Sequence, residues 1–184
     1  MKKLLVFAGI LAVAAATQAA TLSWAAYGAL NDGSADEDWF SGGQAYLINV
    51  TDADNFAVTS GDSGLQITGG QIVDSGDIDG GQVTRATDKA DVTGMTLTDG
   101  SAYTFAILFT SDGSAGTTLP TTGTWGLNDN DGAMYSGTWS DNTGLTLAFN
   151  ENTYAQVSNP IPEPTSVALL ALGLAALGLK RKVA

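Results

Sequence analysis

Residues 103–110 read YTFAILFT, and this stretch decides the fold class of the chain. Large apolar side chains recur at every second position, namely Tyr103, Phe105, Ile107 and Phe109. A repeat of two puts alternate side chains on the same face of a β-strand. The stretch therefore predicts a strand over 103–110 with one face turned to a hydrophobic core.

The same alternation recurs on both sides of this strand. Residues 145–149 read LTLAF, and Tyr46, Ile48 and Val50 repeat the spacing, although Leu47 interrupts the polar face. Weaker strand patterns lie at 56–59, 65–68, 82–87 and 92–98, and Gly-Gly or Asp-Gly pairs separate the segments. Short strands broken by such turns predict an all-β fold, a single β-sandwich or jelly-roll-like domain.

A short repeat indicates how two further segments pair. Gly123-Thr124-Trp125 recurs as Gly137-Thr138-Trp139, and the turn-forming residues 128–132 lie between the two copies. The spacing predicts a hairpin closed at Asp131-Gly132. The loop length sets whether the two indoles share a face, and the sequence leaves both arrangements open.

The charge of the middle of the chain excludes some partners. Of the 19 acidic residues only Glu163 lies outside 20–160, and of the seven basic residues only Arg85 and Lys89 lie inside it. A net charge of −16 over this segment argues against nucleic acid, which binds through basic patches. The same charge argues against electrostatic adhesion to anionic lipid.

The chain has no Cys and no His. Disulfides, zinc sites built from Cys or His, Ser-His-Asp triads and Cys-His dyads therefore cannot occur in it. These absences narrow the range of enzymes that the middle segment could be.

The first 19 residues have the three parts of a Sec signal peptide. Two lysines open the chain, an apolar stretch of 13 residues follows, and small residues stand at −3 and −1 relative to a cleavage between Ala19 and Ala20. We predict a signal peptide at 1–19, with the Sec translocon and a signal peptidase as partners.

The other end of the chain also has three parts. Pro162-Glu163-Pro164 resists helix formation, and an uncharged Leu- and Ala-rich segment follows at 165–179. A basic cluster closes the tail, made of Lys180, Arg181 and Lys182. A transmembrane helix over 165–179 would be about 22 Å long, shorter than the roughly 30 Å hydrocarbon core, and the basic cluster would stay cytoplasmic.

Together these three parts resemble the PEP-CTERM sorting signal, which is also labelled the ice-binding protein C-terminal domain. The resemblance covers 161–184 and implies that Pro162, Glu163 and Pro164 form a recognition element. It implies an exosortase-type protease as partner, transient residence in the inner membrane, and a final location at the cell surface or outside the cell. It implies nothing about residues 20–160.

Two acidic segments are candidate calcium sites, because calcium prefers several oxygen ligands held close together. The candidate ligands are Asp74, Asp77, Asp79, Asn128, Asp129 and Asp131. Neither segment has the spacing of an EF-hand loop. The alternative interpretation is an acidic surface turn, since Asp and Asn also favour turns through local hydrogen bonds.

Trp125 and Trp139 are candidates for a carbohydrate-stacking surface, and the alternative is that both indoles fill the core. We predict that 20–160 is one exported β-rich domain without enzymatic activity, acting at the cell surface or in an exopolysaccharide matrix. The alternatives are a small carbohydrate-active enzyme with an Asp/Glu pair and a calcium-stabilised carbohydrate-binding module.

Overall fold

The computed structural model describes residues 19–26, 42–61, 63–79, 81–128, 134–149 and 159–160. In these ranges the chain forms eleven strands and two short 3-10 turns, Ala53–Asn55 and Lys89–Asp91. The strands are β1 (Thr21–Ala26), β2 (Gln44–Val50), β3 (Ala57–Gly61), β4 (Gly64–Thr68), β5 (Gly70–Asp77), β6 (Val83–Asp88), β7 (Ala102–Thr110), β8 (Thr124–Asn128), β9 (Tyr135–Thr138), β10 (Leu145–Phe149) and β11 (Asn159–Pro160).

Three strands form a small sheet, called sheet I here. Strand β1 lies at its centre, parallel to β10 and antiparallel to β6. Alternate residues of β1, namely Leu22, Trp24 and Ala26, are buried in the main core. The first described strand of the chain therefore pairs with one of the last.

A larger sheet, called sheet II here, is built around β7 in the order β11-β8-β7-β2-β5. Strand β2 pairs with one edge of β7. Strands β8 and β9 both pair with its other edge, β8 at Ile107–Thr110 and β9 at Ala102–Phe105. Strand β5 occupies the far edge of the sheet beside β2.

Sheet II is covered on both faces. One core cluster joins Leu22 and Trp24 of sheet I to Leu47 and Ile107 of sheet II. A second cluster lies on the opposite face of sheet II, where Tyr46, Ile48 and Leu108 pack against side chains from β3, β4 and the loop after β7. Sheet II is thus the middle layer, and the hairpin β3–β4 with the loop 111–123 forms the outer one.

The prediction of an all-β fold is confirmed, and most strand predictions hold. The segments 103–110, 145–149 and 46–50 lie in β7, β10 and β2, and the weaker segments 56–59, 65–68 and 82–87 overlap β3, β4 and β6. No helix among the described residues is long and apolar enough to cross a membrane. The predicted helix at 165–179 lies outside those residues, as do residues 1–18 of the signal peptide.

Two predictions are wrong. The segment 92–98 forms no strand, because Gly94 takes a left-handed φ of +68° that interrupts an extended chain. The hairpin between the two Trp repeats is also wrong: β8 and β9 do not pair with each other but follow one another along the same edge of β7. Strands β1, β5 and β11 were not predicted.

Candidate functional site

Asp74 joins the two sheets. It lies on β5, its side chain is 8% exposed, and its Oδ2 accepts hydrogen bonds from Trp24 Nε1 at 2.8 Å and Thr87 Oγ1 at 2.7 Å. Both donors belong to sheet I. Arg85 Nη2 lies 3.5 Å from the other oxygen, Oδ1. The carboxylate therefore connects β5 to β1 and β6.

The other two candidate ligands of the first acidic segment lie elsewhere. Asp77 is three residues further along β5, so its side chain points to the opposite face of the strand, where it accepts a hydrogen bond from the Gln44 side chain. Asp79 is exposed and its backbone pairs with Gln82. The three carboxylates predicted to share a calcium ion are therefore separated.

The second acidic segment is only partly described. Asn128 is buried in β8, and its Oδ1 accepts a hydrogen bond from Tyr135 at 3.3 Å. Asp129 and Asp131 lie outside the described residues. Within the described ranges, no three acidic side chains come close enough to hold a metal ion.

The two tryptophans proposed for carbohydrate stacking are buried. Trp139 is 0% and Trp125 is 7% exposed. Trp139 belongs to the core between the two sheets, and Trp125 belongs to the cluster on the other face of sheet II. They share no exposed surface, so the core interpretation describes them correctly.

An exposed ion pair was not predicted from the sequence. Asp141 Oδ1 accepts from Lys89 Nζ at 2.5 Å and from Trp139 Nε1 at 2.6 Å. Lys89 Nζ lies 5.8 Å from the centroid of the Trp139 ring. The hydrogen bond from Lys89, with that from Trp139, lowers the pKa of Asp141 below its usual value of 3.8.

A groove runs along the outer side of β5, between residues 91–94 and residues 115–119. It consists of a cavity of about 200 Å³ next to Asp74 and Arg85 and a cavity of about 500 Å³ next to Gln71 and Leu119. Thr93 and Thr117 line both cavities. We call this feature the β5 groove. Sequence reasoning missed it because its residues are far apart in the chain.

Both predicted processing points lie at the borders of the described domain. Ala19 is exposed, whereas Ala20 packs against the core, and its carbonyl oxygen accepts a hydrogen bond from Lys89 N at 3.2 Å. At the other end Asn159 and Pro160 pair with β8. The predicted Pro-Glu-Pro motif begins two residues after Pro160 and lies outside the described residues.

Comparison with known proteins identifies only the tail. Residues 160–182 match the family model described as the PEP-CTERM protein-sorting motif. No curated protein and no solved structure matches the chain. The suspected sorting signal is therefore confirmed, and it marks the chain as an exported protein addressed to an exosortase.

Proposed function

We propose that this protein is delivered to the cell surface or the extracellular matrix, where its β-rich domain acts without catalysing a reaction. The observation that carries the proposal is the sorting motif at 160–182. The Sec translocon and signal peptidase would process the N-terminus, and an exosortase would cut near the motif after transient residence in the inner membrane.

The borders of the domain support this order of processing. Cleavage between Ala19 and Ala20 would remove nothing from β1, which begins at Thr21. Cleavage at or after Pro162 would likewise leave the pairing of β11 with β8 intact. Processing at both points would release a complete domain, which we interpret as a β-sandwich of sheets I and II with one additional layer.

The roles of the acidic side chains support a non-enzymatic function. Asp74 joins the two sheets, Asp141 holds Lys89 and Trp139, and Asp52 caps the turn at 53–55. A carboxylate used in this way stabilises the fold. These three carboxylates thus act as acceptors of structural hydrogen bonds.

One observation favours the alternative of a carbohydrate-active enzyme: Asp74 and Asp91 line the same cavity. The alternative predicts that purified protein hydrolyses an oligosaccharide and that Asp91→Asn abolishes this activity. A calcium-stabilised module predicts instead that millimolar calcium raises the melting temperature of the full chain.

The sorting proposal is tested by replacing Pro162, Glu163 and Pro164 with alanine in a host that has an exosortase. We expect the unaltered chain in the surface or extracellular fraction, beginning at Ala20 and shortened at its C-terminus. The triple variant should stay in the membrane fraction with Ala184. The matched control Glu151→Gln should behave like the unaltered chain. Equal release of all three proteins would refute the proposal.

A further inference from the structure

The walls of the β5 groove are held by hydrogen bonds. On one side Thr93 N donates to Val73 O at 3.1 Å and the Gln71 side chain donates to Gly94 O. On the other side Gly116 N donates to Ser75 Oγ at 2.7 Å. Both walls are therefore tied to β5 itself, and the groove is formed before any ligand arrives.

A second set of contacts fixes the loop that forms the outer wall. The Tyr46 hydroxyl is buried and lies 3.4 Å from the carbonyl oxygens of Ser114 and Thr118. Burial raises the pKa of Tyr46 above 10.0, so the hydroxyl keeps its proton at neutral pH. A preformed wall reduces the entropy that is lost on binding.

One of the two basic residues of 20–160 faces this groove. The stem of Arg85 crosses β5 over Gly76, where an added Cβ would approach Arg85 Cδ to 2.7 Å. Its guanidinium lies 3.5 Å from Asp74 and its side chain is 45% exposed. Arg85 lines the cavity next to Asp74, and a guanidinium has more N–H donors than this one contact uses.

We propose that the β5 groove binds a neutral oligosaccharide, which would deepen the surface or matrix role proposed above. Arg85 supplies donors, Asp91 supplies an acceptor, and the Thr117 hydroxyl supplies both, as vicinal sugar hydroxyls require. The Thr93 hydroxyl donates to Val73 O at 3.1 Å, so it offers an acceptor. Ile67 and Leu119 add apolar surface for the C–H face of a sugar ring. Both cavities are open along the groove, which suits a chain of several units.

Two other ligands, a polyanionic glycan and an extended peptide, fit this groove less well. The negative charge of the domain argues against the first, and the paired edge of β5 argues against the second. Eighteen acidic residues against two basic ones in 20–160 repel a polyanionic glycan. A peptide could add to an exposed sheet edge only through unpaired backbone groups. Here the carbonyl of Val73 is occupied by Thr93, so strand addition at this point is blocked.

Binding is tested by calorimetry on the purified full chain in detergent, with neutral hexose hexasaccharides and a hexauronate as probes. We expect at least one neutral hexamer to bind, and Arg85→Gln to weaken it by about tenfold to a hundredfold, the loss of one or two hydrogen bonds to a charged group. Lys89→Gln makes the same change of charge outside the groove and should alter the affinity less than about twofold.

A second pair of variants separates a blocked groove from an unfolded protein. Thr117→Trp adds a large side chain at a position that lines both cavities and should abolish binding, whereas Thr146→Trp on the exposed face of β10 should not. The proposal fails if no neutral hexamer binds, if only the hexauronate binds, or if Thr117→Trp binds like the unaltered chain. Because the assay uses purified protein, its failure leaves the sorting proposal untouched.

Discussion

The bridge between the sheets at Asp74 makes a quantitative prediction about stability. Asp74→Ala removes the acceptor of two partly buried hydrogen bonds, those from Trp24 Nε1 and Thr87 Oγ1. Asp74→Asn keeps one oxygen that can replace Oδ2 and accept both bonds, but it removes the charge. Comparison of the two variants therefore separates loss of the hydrogen bonds from loss of the charge.

The magnitude follows from the burial of these groups. A hydrogen bond to a charged group contributes about 1.5–3 kcal/mol and a neutral one about 0.5–1.5 kcal/mol. Alanine at position 74 should therefore cost about 3–6 kcal/mol, and asparagine, which exchanges two charged hydrogen bonds for two neutral ones, about 2–3 kcal/mol. The ion pair with Arg85 adds little, because the Arg85 side chain is 45% exposed.

The measurement is urea unfolding of the full chain, followed by tryptophan fluorescence. Asp88→Asn is the matched control, since Asp88 lies on β6, is exposed and makes no side-chain capping hydrogen bond. It should change the free energy of unfolding by less than about 0.5 kcal/mol. If Asp74 binds only its partners in sheet I, adding calcium should change the free energy of unfolding of Asp74→Asn and of Asp88→Asn by the same amount.

The reasoning is refuted if Asp74→Ala unfolds at the same urea concentration as Asp88→Asn. A double-mutant cycle gives a second test. Trp24→Phe removes one donor, so it should cost less in the Asp74→Ala background than in the unaltered chain. Equal costs in both backgrounds would show that the indole and the carboxylate do not interact.

Two other positions give predictions of their own. The lowered pKa of Asp141 means that its pair with Lys89 stabilises the fold above about pH 3.8 and that this contribution is lost as the pH falls through the folded pKa. In thermal unfolding followed by circular dichroism, Asp141→Asn should therefore melt at a lower temperature than the unaltered chain near neutral pH. The two melting temperatures should converge as the pH falls through the folded pKa. Gly144→Ala would place a Cβ 2.1 Å from the carbonyl oxygen of Thr21, so its melting temperature should fall well below that of Gly100→Ala. Gly100 has a similar φ of +74° but no atom within 4 Å, and equal melting temperatures would refute the clash.

The sequence predicted the positions of β7 and β2, but it predicted one buried face for each strand where the structure has two. Alternation was read as one buried face, yet Leu47 and Ile107 face sheet I while Tyr46 and Leu108 face the outer layer. The interruption at Leu47 was the visible sign that both faces of β2 are covered. Strands buried on both faces lose their alternation of apolar and polar residues.

Strand β5 shows why other elements could not be predicted. Its sequence, GQIVDSGD, is rich in residues that strands avoid. Pairing with β2 overrides this preference, and Asp74 is accommodated because Trp24 and Thr87 satisfy it. Such long-range partners leave no local trace. By contrast, Leu22, Trp24 and Ala26 alternate in β1, a local pattern from which this strand could have been predicted but was not.

The candidate sites differ in the same way. The sorting motif is contiguous, so its residue order alone identified it. The β5 groove combines residues of β4, β5, β6 and two irregular segments, and only the fold brings Arg85 to Thr93 and Thr117. The one feature of the sequence that could have drawn attention to the groove is that Arg85 is one of only two basic residues in 20–160.

The topology of sheet I bears on the order in which its strands pair. Strand β1 follows the predicted signal cleavage point at once, yet its parallel partner β10 lies more than a hundred residues later. Strands this far apart in the chain pair late, because the entropy cost of closing the long loop between them precedes the favourable contacts. Sheet I can therefore not be complete until residues 145–149 have left the ribosome. In a chain that emerges from its N-terminus, β1 could pair with β6 first, but its other edge would stay open until β10 arrived.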